Sequence, residues 1–382
     1  MKTDVLKIEA NHATDALAVL LTALALFAIQ LPKYGTVLLL PALLLAWFQR
    51  STFHIAPELK RIAVLFALYV AAFSVISTDP SRSAKGAYDI LRGVLVFLPA
   101  LWLGTRLSSG TPQTPALLVG LAFSVVNFAF PVFDGSQAFY GYYDNPNNVA
   151  VALTAHLFLV AMLFPSRMAS HRAWRLLAFA IAFGSLLVLL VLANSRGSWL
   201  GVAAAFSWIV LLQAHIGRRT RIALVLAAGA AVLVLISAVD VKGFGYGTVG
   251  ARLVIWKGLW SLTVAHHPWF GYGINYVKDL LVASGLPTLT AHNVVLEIFV
   301  STGVVGLTAF LAIAYRLAAF LFRQNYARGP VLYAGIGGLT AFLVMGQFDL
   351  KFASFKFIAM VSCFLGLIYS QRLPPADANR GS

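Results

Sequence analysis

Twelve apolar runs punctuate the chain, at residues 16–30, 36–48, 62–76, 90–103, 116–130, 149–164, 176–193, 199–213, 222–238, 294–320, 331–346 and 357–369. Repeated apolar runs approaching about 20 residues signify transmembrane helices, because in lipid a helix satisfies all of its own backbone polar groups. The expected fold class is therefore an all-α integral membrane protein of about twelve transmembrane helices, with residues 1–382 forming a single polytopic domain. Several runs are shorter than a full span and should extend by a few residues at their ends. The composition is 60% hydrophobic with 11% charged residues, too little charge to cover the surface of a soluble protein of 382 residues. Lys2 and Lys7 precede a first run that is longer than a signal-peptide core and is followed at once by a second. It reads as a retained helix.

The net charge of +15 would suggest nucleic acid in a soluble protein, but here it fits basic residues gathered at the cytoplasmic membrane face, and no nucleic-acid partner is expected. An even number of spans puts both termini on one side. With the termini in the cytoplasm, 17 of the 28 Lys+Arg fall inside and 11 outside. The outer set should be nearly empty, yet Arg82, Lys85, Arg92, Arg196, Arg252, Lys257, Lys351 and Lys356 lie on or near that face. Something anionic on that side would account for them. The single cysteine, Cys363, lies inside an apolar run, so an internal disulfide is impossible.

Three outer segments carry the polar and aromatic residues. Residues 139–148 form an aromatic, Asn-rich turn. Residues 194–197, Asn-Ser-Arg-Gly, form a very tight connection between two apolar runs. Residues 239–291 form the one large periplasmic loop, in which the spacing from Arg252 through Trp256 to Trp260 predicts a short interfacial helix with tryptophans at headgroup level. The run from His267 and Pro268 to Gly271 and Gly273 reads as a glycine-rich turn.

His292 lies where a polar run becomes the apolar run 294–320. A histidine in the first turn of a helix feels the positive end of the backbone dipole, which disfavours imidazolium and suits a general base. A histidine satisfied by a loop carbonyl is the plainer reading. Arg196 and Arg252 each read either as snorkelling surface arginines or as planar donors matching phosphate oxygens, a pair able to neutralise a diphosphate without metal. Asp349 reads as an ion-pair partner of Lys351 or as a carboxylate that orients His292 or binds a substrate hydroxyl. Glu297 falls about one and a half turns into an apolar helix, where an ionisable group is expensive and hence a functional candidate; Asn293 on the same face could bond to it. His266 and His267 are expected to shape the turn before Pro268. The zinc spacings H-x-x-x-H and H-E-x-x-H are absent, as are the D-x-D and D-x-x-D motifs that hold nucleotide diphosphates through a divalent ion. No cofactor is expected.

Taken together these motifs resemble the O-antigen ligase and polymerase superfamily of bacterial inner-membrane glycosyltransferases. The match is carried by Asn194-Ser195-Arg196-Gly197-Ser198-Trp199-Leu200-Gly201, by Arg252-x-x-x-Trp256 followed by His267-Pro268-Trp269-Phe270-Gly271-Tyr272-Gly273, and by Ala291-His292-Asn293 with Leu296, followed by Gly303-Val304-Val305-Gly306. Asp144-Asn145-Pro146-Asn147 is similar to the family's Asn-rich turn. The resemblance covers about residues 135–350. It implies a periplasm-facing active site in the inner membrane, a polysaccharide donor on undecaprenyl diphosphate, and lipid A-core as the acceptor of a ligase, or another lipid-linked repeat as that of a polymerase. It gives His292 the role of base, Arg196 and Arg252 the diphosphate, and Asp349 a supporting acidic role. Arg82, Lys85 and Arg92 are expected to meet either substrate phosphates or lipid headgroups. A transporter is the rival from another class, disfavoured because the polar candidates gather at one face and no repeat is visible.

Overall fold

A computed structural model describes residues 2–29, 35–49, 55–108, 114–129, 146–163, 173–213, 216–239, 249–285, 291–348 and 350–373. The described residues are all-helical, with one isolated bridge between Tyr326 and Arg372. The helices are α1 (Lys2–Ala28), α2 (Gly35–Phe48), α3 (Pro57–Val75), α4 (Pro80–Val94), α5 (Phe97–Ser108), α6 (Thr114–Ala129), α7 (Pro146–Ala161), α8 (Ala173–Leu192), α9 (Arg196–Leu212), α10 (Arg218–Val239), α11 (Val249–His266), α12 (Val277–Ala283), α13 (Val294–Phe322), α14 (Pro330–Met345) and α15 (Phe355–Ser370). Each apolar run falls on a helix, and the run 90–103 is shared by α4 and α5, which continue into one another as the apolar unit Pro80–Leu107. That unit and Val294–Phe322 are long and apolar enough to cross a membrane; seven other apolar helices are shorter. The segment expected to form a short interfacial helix lies within α11, a helix of 18 residues.

Local chemistry sets several helix starts. Asp79 caps α4 by accepting the Arg82 N–H at 3.1 Å, with Pro80 at the first helical position, where a missing N–H costs nothing. Asn293 caps α13 through the Leu296 N–H at 2.8 Å. The bundle packs α15 against α4, α5 and α14, and α14 against α7 and α9. Gly201 makes the α9–α14 contact possible: a Cβ there would meet the Ala341 carbonyl and the Met345 side chain at 2.8 Å. Further along the pair Ile209 faces Gly337, so α9 and α14 run antiparallel. Phe158 of α7 also faces Gly337, while Ala161 and Pro330 line one cavity, so α7 is antiparallel to α14 as well. The starts of α7, α9 and α13 and the end of α14 thus gather at one end of the bundle.

α13 is broken. Gly303 has φ 64° and ψ −167°, outside the helical region and in the half of conformational space that suits glycine. A break strands N–H and C=O groups, and the turn 268–273 satisfies them. Val304 N–H donates to the Pro268 carbonyl (2.9 Å) and Val305 N–H to that of Trp269 (3.1 Å). In return Tyr272 N–H donates to the Val300 carbonyl and Gly273 N–H to that of Ser301, both at 2.9 Å. The glycine-rich turn 268–273 is therefore a plug that completes the broken helix. Beyond the break, residues 304–322 measure about 28 Å, close to the roughly 30 Å of a bilayer's hydrocarbon, so 294–302 can stand above it.

Candidate active site

His292 lies just outside α13, one residue before its N-cap, with its backbone in the left-handed region (φ 52°). The expected position in the first turn is corrected by one step: the imidazole is carried by the turn that enters the helix. Trp256, one turn beyond Arg252 on α11, donates its indole N–H to the Ala291 carbonyl at 2.8 Å, which fixes α11 against this turn. Beneath them Ile255, Leu259, Tyr272, Val277, Leu280, Leu281, Ala291 and Val300 form an apolar cluster of their own, joining α11, α12 and the upper piece of α13. Trp260 stacks on Phe299 at 4.7 Å in the same layer. His267 lies against Tyr272 (4.4 Å), consistent with a part in shaping the plug.

The imidazole is half-buried, its Nδ1 fully so. Burial, then the charges of Arg252 and Lys351, push its pKa down from the usual 6.5 to about 4. The expectation of a neutral imidazole therefore holds in direction, but its causes are burial and two neighbouring cations.

Arg196 is the first residue of α9, after a turn in which Asn194 is left-handed (φ 51°) and the Trp199 indole donates back to the Leu190 carbonyl at 3.1 Å. A cation at a helix N-terminus opposes the macrodipole, so this guanidinium is not placed there for helix stability. The antiparallel α9–α14 packing carries Arg196 toward the segment that follows Met345. That segment is bonded to the start of α13: Val294 N–H donates to the Gly346 carbonyl at 2.7 Å, and the Asn293 side-chain amide reaches the Gln347 carbonyl at 3.5 Å. Arg196, Arg252 and His292 thus share one end of the molecule.

Glu297 is buried (4% exposed), and its carboxylate accepts the Phe352 N–H at 2.7 Å. Asn293 is not its partner, since the Asn293 side chain is used as the helix cap and toward Gln347. Glu297 instead pins the α14–α15 turn onto the first turns of α13, and it belongs to the part of that helix above the break.

Two of the first-third cations, Arg82 and Arg92, have protein partners. Arg82 pairs with Asp79 at 3.9 Å and with Asp279 of α12, and lies over the Tyr276 ring at 6.0 Å. With the Thr78 hydroxyl donating to the Tyr272 carbonyl (2.6 Å) and the Ser83 hydroxyl to that of Ile274 (3.0 Å), it docks the segment 272–279 onto the α3–α4 junction. Arg92 pairs with Asp89 at 2.7 Å and covers the Phe355 ring at 4.1 Å. Lys85 is exposed on α4. Asn147 begins α7 at the site's end of the bundle, while Asn145 and Asp349 lie outside the described residues. Two cations that the motifs pass over do approach the site: Lys351 acts on His292, and Lys278 of α12 acts on Lys351. Only the outward bias of lysine and arginine hinted at Lys351; Lys278 carried no signal of its own.

The O-antigen ligase family model matches residues 177–311, the stretch that carries Arg196, Arg252, His292 and Gly303. The chain is also 30% identical over 165 residues to an O-antigen ligase of Pseudomonas aeruginosa, an alignment covering 42% of this chain and 39% of the relative's length. Both matches support the O-antigen ligase superfamily.

Proposed function

We propose that the protein is an inner-membrane glycosyltransferase of the O-antigen ligase kind, moving a polysaccharide from undecaprenyl diphosphate to a sugar hydroxyl of lipid A-core at a site facing the periplasm. About twelve membrane crossings and cytoplasmic termini belong to this reading, as does the loop 239–291 on the outer side. The observation that carries it is a half-buried imidazole whose pKa is held down by burial and by the Arg252 charge, at the end of the bundle where Arg196 also lies.

In this reading the acceptor O–H gives its proton to His292 while its oxygen attacks the anomeric carbon. The bond from that carbon to the phosphate oxygen breaks, and undecaprenyl diphosphate leaves with the electron pair, inverting the centre. Arg196 and Arg252 offset the developing charge from fixed positions. The same charges can time the base. Burial, then the Arg252 charge, depresses the imidazole's basicity; a diphosphate bound by Arg252 would offset that charge and raise the basicity when a proton must be taken. No metal is required by these steps, so chelation with EDTA should leave the rate unchanged.

The test is reconstitution of the purified protein with lipid-linked polysaccharide and lipid A-core. Transfer to lipid A-core is expected, and His292→Ala should lower it by about 10²- to 10⁴-fold, the usual worth of general-base catalysis. Longer lipid-linked chains without transfer to lipid A-core would instead identify a polymerase. Retention of most activity by the alanine variant would remove His292 from the chemistry.

A further inference from the structure

We infer that Lys278 and Lys351 form an anion-binding rim beside His292 that takes a phosphoryl group on the acceptor saccharide, an inference that rests on the reading above. Lys351 is held there by the backbone. The turn that carries it is tied to the start of α13 at Gly346, Gln347 and Phe352, the last through buried Glu297. Its neighbours Leu350 and Phe352 are buried at 8% and 1% exposure, so in an extended turn the residue between them points outward, and Lys351 is indeed exposed. Lys278 is fixed in the same way on another element. Val277 before it and Leu280 and Leu281 after it are buried in the α11–α12 cluster, and adjacent Asp279 is bound to Arg82. Lys278 itself is exposed.

The two ammonium groups approach each other from separate elements. The outward-pointing Lys351 is partly desolvated by its surroundings, and that desolvation, with the Lys278 charge, lowers its pKa while Glu297 raises it. Glu297 is the carboxylate acting on Lys351 among the described residues, and it lies beneath the turn with an oxygen committed to the Phe352 N–H. Cations that act on one another beside an imidazole of lowered pKa repel until an anion arrives, and a cationic rim attracts one. The donor's diphosphate has Arg196 and Arg252. Lys278 lies on the other flank, where α12 rests on the α3–α4 junction, whereas α9 packs on α10 and α14. On this inference the second anion, met from the α12 side, belongs to the acceptor.

The experiment measures KM for acceptor and for donor separately, in an uncharged detergent so that lipid headgroups do not compete. Lipid A-core is compared with the same material after phosphatase treatment. The wild-type protein should show about a tenfold lower KM for the phosphorylated acceptor, the worth of one charge-assisted contact. Lys351→Gln and Lys278→Gln should each erase most of that preference, and Lys351→Arg should keep it. A donor KM that rises in step would assign the lysines to the diphosphate and overturn the inference, as would a preference that survives both glutamine variants. Failure of the wild-type protein to transfer to either acceptor would overturn the proposed function, and the rim with it.

Discussion

At the scale of single residues, the proposed chemistry turns on how the pKa of His292 is held down. Its motif was legible because a histidine between a polar run and a long apolar one is conspicuous. The physical cause was not, because Arg252 lies 40 positions upstream and Lys351 59 downstream, and their approach depends on packing. The distinction has a measurable consequence. A group whose pKa is lowered to about 4 stays unprotonated down to that pH, so kcat/KM should show no acid loss from this residue between pH 8 and 5. Below about 4 it should fall. Arg252→Gln removes a charge that lowers the pKa, so its acid limb should move upward toward 6.5, in addition to any loss of donor binding. A wild-type limb already at 6.5 would contradict the described environment. Glu297 teaches the complementary lesson. It stood out as an ionisable group within an apolar run, but its partner is a backbone N–H 55 residues away, which no helical spacing could suggest.

At the scale of elements, periodicity placed the apolar helices well, since each run overlaps one. It could not show that α13 is two pieces. Gly303 sits in a run that continues unbroken on either side, and a helical glycine and a broken one look alike in sequence. The partner that makes the break tolerable, the turn 268–273, lies between α11 and α12, and its own glycines have positive φ at Gly271 (68°) and Gly273 (115°). Gly303→Ala should therefore be costly. Its backbone conformation is one L side chains rarely adopt, and a Cβ would strike the Trp269 carbonyl and the Phe270 nitrogen. We expect a loss of about 1–3 kcal/mol from the backbone conformation alone, with the clash adding to it. Activity should fall further than stability as the plug leaves the site. Gly229→Ala in α10 is the control: nothing lies within 4 Å of the added Cβ, so helix propensity should stabilise it by up to about 1 kcal/mol. Thermal unfolding in detergent should separate the pair, and equal melting temperatures would argue that α13 is continuous.

At the scale of the whole molecule, the placement of charge bears on the orientation proposed for the bundle. The starts of α7, α9 and α13 and the end of α14 lie together, whereas α10 begins with Arg218, Arg219 and Arg221 after a segment that follows α9 away from that end. Basic residues concentrate on the cytoplasmic side of membrane proteins, so the proposed function expects the Arg218 end in the cytoplasm and the His292 end in the periplasm. The sequence offers a clean way to check this, because its one cysteine, Cys363, is fully buried in α15 and should be silent to thiol reagents. A reporter cysteine at exposed Ser284, at the end of α12, should react in intact cells with a maleimide that cannot cross the inner membrane. One at exposed Thr220 should react only after the membrane is opened. The reverse pattern would put the imidazole and its arginines in the cytoplasm, where no lipid-linked polysaccharide awaiting transfer at the outer face could reach them. Labelling of both in intact cells would mean that the helices between them do not separate two compartments.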